Sequence, residues 1–424
     1  MPAARPLRIL HAPRNTAGQA GDVVAALRRL GHEVELWDDE PNVFGLAADR
    51  WLGYDGRDPH RVWAAVIEAA ERFDVIHFHA GRTLVPPGWS GLPPFWDLPV
   101  YRALGRRVYV TFHGSDVRIG RIHDQMNPWS SLVEVPPQDD ERIEKSLQVM
   151  RTYADRLFVV SVNYLPYVPD AEYLPRVIDL ASWPVQAPAQ RERPVIVHAP
   201  SRRGTKGTDL ILAVLDDLAR EGVGFDLRLL EGVRHAEVQE TLATADVLVD
   251  NVIAGSYGIV SLEAMALGKV AVSNMSLALR AAHPEAPVVH VEPPTLRDTL
   301  RRLIGDVDER RRLAALGRPY VTRVHDADHA AARLDAVYRE PQLPVSATAM
   351  PDWMSFRGPR RIELLEARLA HAEVELGRSR LREAELRAQL GLPDGRGIVD
   401  GARQLARRVL PVGARSGLAR LRRR

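Results

Sequence analysis

The chain has 424 residues, 46% hydrophobic and 26% charged, with a formal net charge of +2. This length and composition predict a globular protein of two or three domains and argue against a fibrous or disordered one. Cysteine is absent, which excludes disulfides, thiolate metal sites and cysteine nucleophiles.

The N-terminal residues 1–7 contain no long apolar run, and no stretch of the chain approaches the roughly 20 apolar residues of a transmembrane helix. We therefore expect no signal peptide and a cytoplasmic protein.

In the first half, short apolar runs alternate with amphipathic stretches. The pattern predicts a helix over 18–30 and strands over 7–12, 33–37, 74–79, 107–113 and 156–161. Strands separated by helices favour a parallel sheet with helices on both faces.

The composition shifts over 183–194 to Pro, Ala, Gln and Arg, which indicates a linker. The alternation then restarts, with strands predicted over 194–199, 225–230 and 246–250. We therefore predict an α/β protein with two Rossmann-like, doubly wound domains over 1–185 and 186–340. Their strand ends would face each other across a ligand-binding cleft.

Two further segments are predicted after the second domain. Residues 355–390 carry an imperfect apolar heptad pattern, which favours a weak coiled coil able to form homo-oligomers, or a docked amphipathic helix. Residues 391–424 hold nine arginines and two aspartates, a net charge of +7.

The arginines of the tail are interleaved with Leu and Val, which favours peripheral binding to an anionic membrane on its inner face. A disordered solubilising tail is the alternative. No aromatic residue lies in the tail, so stacking on bases is unsupported and we expect no nucleic-acid partner.

In the first domain, candidate ligand contacts follow predicted strands. His113 would lie at the carboxyl edge of the sheet, where it can bind a hydroxyl or donate a proton. Gly18 lies at the first strand-to-helix turn, which faces phosphate in many such sheets. His77 and His79 share a strand face, but the sequence brings no further ligand beside them, so we expect no metal site.

Two segments of the second domain favour an anionic ligand. Arg202, Arg203 and Lys206 are concentrated on one loop after a predicted strand and could clamp a diphosphate. In the segment 254–272, the glycines at 255 and 258 allow close backbone approach before a helix that contains Glu263. A buried crossover with a capping glutamate is the alternative.

Several of these segments resemble retaining GT-B glycosyltransferases of family 4 (glycosyl transferases group 1). Residues 258–272 (GIVSLEAMALGKVAV) look like the donor-site helix of that family, and 174–184 (LPRVIDLASWP) like its interdomain segment. Residues 31–34 (GHEV), 73–79 (FDVIHFH) and 111–116 (TFHGSD) are similar to its N-terminal domain. The resemblance spans about 7–338.

The resemblance implies a metal-independent enzyme that transfers a hexose from a UDP- or GDP-sugar, with retention, to a glycan or a lipid-linked acceptor. The nucleotide sugar is then a substrate, and no cofactor is expected. The roles implied for individual residues are as follows: Glu263 on the ribose, Gly255, Ser256 and Tyr257 beside the donor sugar, His113 as the catalytic residue next to that sugar, and Gly18, Gly258, Arg202, Arg203 and Lys206 on the diphosphate.

Two positions depart from the family pattern. Gly255 stands where the family usually has its first glutamate, and Ser201 stands where the family usually has an arginine five residues before the lysine. Either Arg202 or Arg203 could replace that arginine. A non-catalytic GT-B-like scaffold or partner subunit therefore remains the alternative function.

Overall fold

The structure is a computed structural model that describes residues 5–41, 44–53, 59–86, 95–129, 139–186 and 191–342. The predicted helix over 355–390 and the basic tail over 391–424 lie outside the described residues. No helix in the described ranges combines the length and the hydropathy needed to cross a membrane.

The first half of the chain forms a parallel sheet in the spatial order β3-β2-β1-β4-β5-β6-β7. Its strands are β1 (Arg8–Ala12), β2 (Glu33–Asp38), β3 (Arg50–Trp51), β4 (Val75–His79), β5 (Arg107–Phe112), β6 (Arg156–Val159) and β7 (Glu172–Tyr173). The accompanying helices are α1 (Gln19–Arg29), α2 (Pro59–Arg72), α3 (Asp97–Ala103), α4 (Gly120–Met126) and α5 (Asp140–Tyr153).

Both faces of this sheet are covered, as the continuous apolar strands require. Within β1, Ile9 packs in one core cluster and Leu10 in the other, because successive side chains point to opposite faces. Both are fully buried.

The second half of the chain forms another parallel sheet, in the order β12-β11-β10-β8-β9. Its strands are β8 (Val195–His198), β9 (Asp226–Leu229), β10 (Val247–Val249), β11 (Val270–Ser273) and β12 (Val289–His290). Its helices are α6 (Arg203–Lys206), α7 (Thr208–Arg220), α8 (His235–Ala243), α9 (Ile259–Ala266), α10 (Leu277–Ala282), α11 (Leu296–Gly305) and α12 (Val307–His325). The predicted α/β class with two parallel sheets is confirmed.

The helix α13 (Ala327–Tyr338) packs on the first sheet, although it follows the helices of the second. Ala331 and Leu334 belong to the same core cluster as Ile9. The Asp326 side chain accepts a hydrogen bond from the Asp328 backbone N–H at 3.0 Å, which caps the helix where the chain crosses back.

Candidate functional site

A cavity of about 310 Å³ lies between the carboxyl edges of the two sheets. Arg118, Tyr164 and Arg176 line it from the first half of the chain, and Lys206 and Gly255 from the second. Parallel α/β sheets bind ligands at this edge, because the loops after the strands converge there. The cavity is the candidate ligand site.

Hydrogen bonds between the two halves border this cavity. Asn127 Nδ2 donates to the Ile253 carbonyl at 2.9 Å, and Asn163 Nδ2 donates to the Gly255 carbonyl at 2.8 Å. Ser276 Oγ donates to Asn163 Oδ1 at 2.5 Å. The loop after β10 is thus tied to the first half of the chain.

The turn 254–258 connects β10 to α9. Gly255 has a φ of +75°, a conformation that favours glycine. Asn251 stabilises the turn, because its Oδ1 accepts from the Ala254 N–H at 2.9 Å and its Nδ2 donates to the Ser256 carbonyl. Gly255, Ser256 and Gly258 line the cavity.

Tyr257 also lines the cavity, but its side chain is 2% exposed and its hydroxyl points into the core of the second half. That hydroxyl is hydrogen-bonded to Tyr320 Oη at 2.9 Å and to His325 Nε2 at 3.1 Å. Tyr257 therefore fixes the turn through α12, and its hydroxyl is already engaged.

The N-terminus of α9 holds a carboxylate of the protein itself. The Gly258 N–H donates to Asp250 Oδ2 at 2.6 Å, Ser261 Oγ donates to the same oxygen at 2.8 Å, and Lys206 Nζ pairs with Oδ1. Burial opposes ionisation of Asp250, but Lys206 and these hydrogen bonds outweigh it and keep its pKa below the ordinary value. An incoming diphosphate would compete with Asp250 for Gly258 and Lys206.

Arg202, Arg203 and Lys206, the three cationic residues predicted on the loop after β8, do not all reach the cavity. Lys206 lines the cavity. The Arg203 guanidinium instead donates to Glu231 at 2.9 Å and also pairs with Asp209. Arg202 is exposed, and neither arginine lines the cavity. The competing partners of Arg203 lie up to 28 residues away in sequence, so the local pattern could not reveal them.

Other arginines line the cavity in their place. Arg176, within the interdomain segment, donates to Ser256 Oγ at 3.3 Å and to Tyr164 Oη at 3.1 Å. Arg118 follows β5, and Arg280 lies on α10. None of these three arginines was predicted from the sequence. Arg176 could have been found, because it lies in the segment 174–184 that resembles the family's interdomain segment. Arg118 and Arg280 lie in no recognisable motif.

Glu263 lies on α9, is 4% exposed, and accepts a hydrogen bond from His235 Nε2 at 2.6 Å. That hydrogen bond raises the pKa of His235 against the opposing effect of burial. The His235 backbone N–H donates to the Phe44 carbonyl of the first half at 3.0 Å. Glu263 is therefore outside the lining of the described cavity, beside a separate contact between the two halves.

Asp22, on α1 of the first half, lies close to Glu263 and His235. Burial raises its pKa to about 7, and the nearby Asp179 and Glu263 carboxylates add to the effect. The Asp179 N–H donates to Asp22 Oδ2 at 3.3 Å. Gly18, with a φ of +80°, lies at the start of the same helix and lines no part of the described cavity.

The half-buried His113 ends a chain of buried imidazoles at the edge of the first sheet and lies outside the lining of the described cavity. Its Nε2 is 3.1 Å from His79 Nδ1, and His79 Nε2 is 2.9 Å from His11 Nδ1. His11 Nε2 is buried and has no described partner. Burial lowers the pKa of all three rings, so they are neutral at pH 7.

The chain of imidazoles assigns the tautomer of His113. An unpaired N–H on His11 Nε2 would be a buried donor without an acceptor, which is costly. The favoured arrangement places the proton of His11 on Nδ1 and that of His79 on Nδ1. The Nδ1 atom of His113 then carries the N–H and can donate to a ligand oxygen.

The predicted pair His77 and His79 points to the same face of the sheet, with stacked rings 5.0 Å apart. His77 is held by Thr111 Oγ1 at 2.6 Å and Tyr338 Oη at 2.5 Å. Within the described ranges, no group of three or more His, Asp or Glu side chains is arranged to hold a metal ion.

Comparison with solved structures identifies the fold as GT-B. Sucrose-phosphate synthase from Thermosynechococcus elongatus is similar over 79% of this chain and 98% of its own, with 16% identity and a TM-score of 0.58. The catalytic domain of starch synthase IV from Arabidopsis thaliana, bound to ADP and acarbose, is similar over 79% and 99%, with 13% identity and a TM-score of 0.52. WaaG, a glycosyltransferase involved in lipopolysaccharide biosynthesis, is similar over 78% and 100%, with 12% identity and a TM-score of 0.50. The sequence matches no protein-family model and no curated protein.

Proposed function

We propose that this protein is a retaining glycosyltransferase that moves a hexose from a UDP- or GDP-sugar to a glycan or a lipid-linked acceptor. One observation carries the proposal. The strand–turn–helix unit from β10 to α9 carries Gly258 at the start of α9 and the buried Glu263 within it, and α6 places Lys206 beside that helix start, where the two sheets meet. The GT-B neighbours, one of them bound to ADP, support the nucleotide part of the proposal.

In this proposal, Glu263 accepts hydrogen bonds from the ribose hydroxyls. The carboxylate is buried and has one described partner, His235, which lies at the start of α8. Rotation of the half-exposed His235 ring would free the carboxylate without moving the core. A carboxylate suits this role because it accepts from two adjacent hydroxyls at once.

The diphosphate would lie at the start of α9, where Gly258 N–H and Lys206 are now held by Asp250. Arg176, from the opposite half, would supply the second positive charge that Arg202 and Arg203 do not bring to the cavity. Two cations and a helix N-terminus stabilise a leaving diphosphate, so the proposed reaction requires no metal ion.

His113 would act beside the donor sugar as the catalytic residue. Its neutral imidazole can donate from Nδ1 to a hydroxyl of the donor sugar. The fixed tautomer orients this donor before substrate binds, which favours catalysis by reducing reorganisation.

The direct test is incubation of the full chain with UDP- and GDP-sugars and a panel of glycan and lipid-linked acceptors, followed by the release of nucleotide. Glu263→Ala should lower kcat/KM about 10- to 100-fold, the usual effect of losing a hydrogen bond to a charged group. Glu240→Ala, an exposed site on α8, is the matched control. The proposal fails if no nucleotide is bound or released and Glu263→Ala changes nothing.

A non-catalytic GT-B-like partner subunit is the second candidate function. It is favoured by Asp250, which already fills the start of α9, and by Gly255, which brings no side chain to the turn. Binding of nucleotide without any turnover, together with copurification of another transferase, would support this candidate. Turnover by the isolated chain would rule it out.

A further inference from the structure

We propose that the cavity between the two sheets binds a sugar substrate that carries an anionic substituent, a carboxylate or a phosphate, held by Arg118 and Arg280. The inference rests on the proposed function and names the class of substrate. It concerns an anion in addition to the diphosphate of the donor.

The charge of the cavity lining supports this inference. Arg118 and Arg280 both line the cavity, and neither is ion-paired with a carboxylate among the described residues. Glu292 is the single carboxylate of the described lining, and its Oε1 lies 3.8 Å from His290 Nε2. Lys206 is balanced by Asp250. The lining therefore has an excess of positive charge that a neutral sugar would leave unmatched.

Many arginines elsewhere in the described chain are paired with carboxylates, among them Arg8 and Arg203, whereas Arg118 and Arg280 are not. Arginine presents several N–H groups in a planar fork that fits the oxygens of a carboxylate or a phosphate. Tyr167 lines the cavity together with Arg118, and its hydroxyl lies 3.1 Å from His123 Nδ1.

Two buried polar atoms of the lining also lack partners. His123 Nε2 and Trp129 Nε1 are buried without a described hydrogen bond, and both residues border the cavity. The indole N–H can only donate, and a buried donor without an acceptor is costly. An oxygen-rich ligand would satisfy it.

The cavity also offers aromatic surface for a sugar ring. Tyr164 and Tyr167 line it, with ring centroids 6.5 Å apart. Gly255 has no side chain, so at this position of the cavity lining no carboxylate repels an anionic substituent. Aromatic rings, unpaired donors and unpaired arginines together match a charged sugar.

The test is calorimetric titration of the full chain with glucose, glucuronate and glucose 6-phosphate, each with and without saturating UDP. Both anionic sugars should bind at least about tenfold more tightly than glucose, with UDP present as well as absent. The ratio of the two affinities tells a carboxylate site from a phosphate site.

Arg118→Gln and Arg280→Gln should each weaken binding of the preferred anionic sugar about tenfold, and Arg118→Lys should weaken it less. Arg142→Gln, an exposed site on α5, should bind like the wild type. Unchanged thermal unfolding would show that the variants are folded.

Equal affinity for glucose and the anionic sugars would overturn the inference while leaving the proposed transferase intact. Loss of anionic-sugar binding when UDP is present would also overturn it, because the arginines would then belong to the diphosphate site. Conversely, anionic sugars that bind to a chain with no affinity for any nucleotide would contradict the proposed function and not this site.

Discussion

At the residue scale, the half-buried Asp22 and the buried Glu263 bring two carboxyl groups close together from different halves of the chain. Glu263 has His235 as a hydrogen-bond partner, whereas the described hydrogen-bond donor to Asp22 is the backbone N–H of Asp179. Burial therefore dominates for Asp22 and raises its pKa to about 7.

Asp22 should make the protein less stable as the pH rises. Because its pKa is raised, the Asp22 carboxyl stays protonated to a higher pH in the folded state than in the unfolded state. Between about pH 4 and pH 7 the unfolded state ionises more readily, so the free energy of unfolding falls over this range. Asp22→Asn should remove this part of the pH dependence. In urea unfolding, the variant should match the wild type near pH 4 and exceed its stability at pH 8.

Asp124→Asn is the control for this prediction, since Asp124 is exposed on α4. It should leave the pH dependence of the wild type in place. Parallel stability curves for Asp22→Asn and the wild type over this range would mean that Asp22 is not held in a buried, protonated form.

His79 is predicted to be a positioning residue that acts through His113. His79→Phe keeps a ring in the core but removes the hydrogen-bond partner of His113 Nε2. We expect kcat to fall about tenfold, the range for one ordered hydrogen bond, with little change in the donor KM. The measurement is steady-state kinetics with the donor found by the panel.

The double variant His79→Phe/His113→Ala separates this role from a general loss of structure. It should be no slower than His113→Ala alone, because both changes affect the same donor. Multiplied losses in the double variant would show that His79 acts independently of His113.

At the element scale, the site depends on α9, which α12 holds in place. Gly317 of α12 is packed so closely that a Cβ atom there would lie 2.8 Å from the Met265 carbonyl oxygen. This oxygen belongs to the backbone of α9, which cannot move aside as a flexible side chain can. The start of α9, with Gly258, is therefore fixed by packing some distance from the cavity.

Gly317→Ala should destabilise the protein by about 1 to 3 kcal/mol, the usual cost of forcing extra volume into a packed core. It should also weaken nucleotide binding, since α9 must shift. Gly305→Ala is the matched control, because nothing lies within 4 Å of a Cβ atom there. That variant should be neutral or more stable by about 0.5 to 1 kcal/mol.

Denaturant unfolding of the two variants checks this prediction. Equal stability of Gly317→Ala and Gly305→Ala would show that α12 and α9 are not in close backbone contact.

The eight strands predicted from the sequence agree with the structure to within one or two residues at each end, because buried parallel strands read as short β-branched runs. The two-residue strands β3, β7 and β12 were not predicted. The prediction over 74–79 became Val75–His79, and that over 246–250 became Val247–Val249. The packing of α13 on the first sheet was not predictable. Its apolar stripe indicates that it is buried but does not specify which sheet covers it.

Within the candidate site, the turn 254–258 and Lys206 were predictable from the local sequence, because the spacing of the glycines and of the lysine indicates them. Lys206, Gly255 and Gly258 do line the cavity. The engagement of Gly258 and Lys206 by Asp250 was not predictable, nor was the pairing of Arg203 with Glu231. Both depend on partners that only the folded chain brings together.

At the scale of the whole molecule, Asn127, Asn163 and Arg176 make hydrogen bonds that join the two halves beside the cavity. Asn163 makes two of them, to the Gly255 carbonyl and Ser276 Oγ. Each such hydrogen bond contributes about 1 kcal/mol. We predict that the cavity opens to admit a substrate from solvent and that this opening breaks the hydrogen bonds of Asn163.

We predict that nucleotide shifts this equilibrium toward the closed form. The radius of gyration from X-ray scattering should decrease when a donor nucleotide is added to the wild-type chain. Asn163→Ala should show a larger radius without nucleotide and a larger decrease with it. Identical scattering profiles in all four conditions would contradict domain closure.

The central claim is that a nucleotide sugar lies between the two halves with its ribose on Glu263 and its diphosphate at Gly258 and Lys206. A crystal structure of the full chain with UDP-sugar or GDP-sugar tests this most directly. We predict ribose hydroxyls within about 3 Å of the Glu263 carboxylate, with His235 displaced, and diphosphate oxygens on the Gly258 N–H and Lys206. A nucleotide bound elsewhere, with Asp250 still holding Gly258 and Lys206, would contradict it.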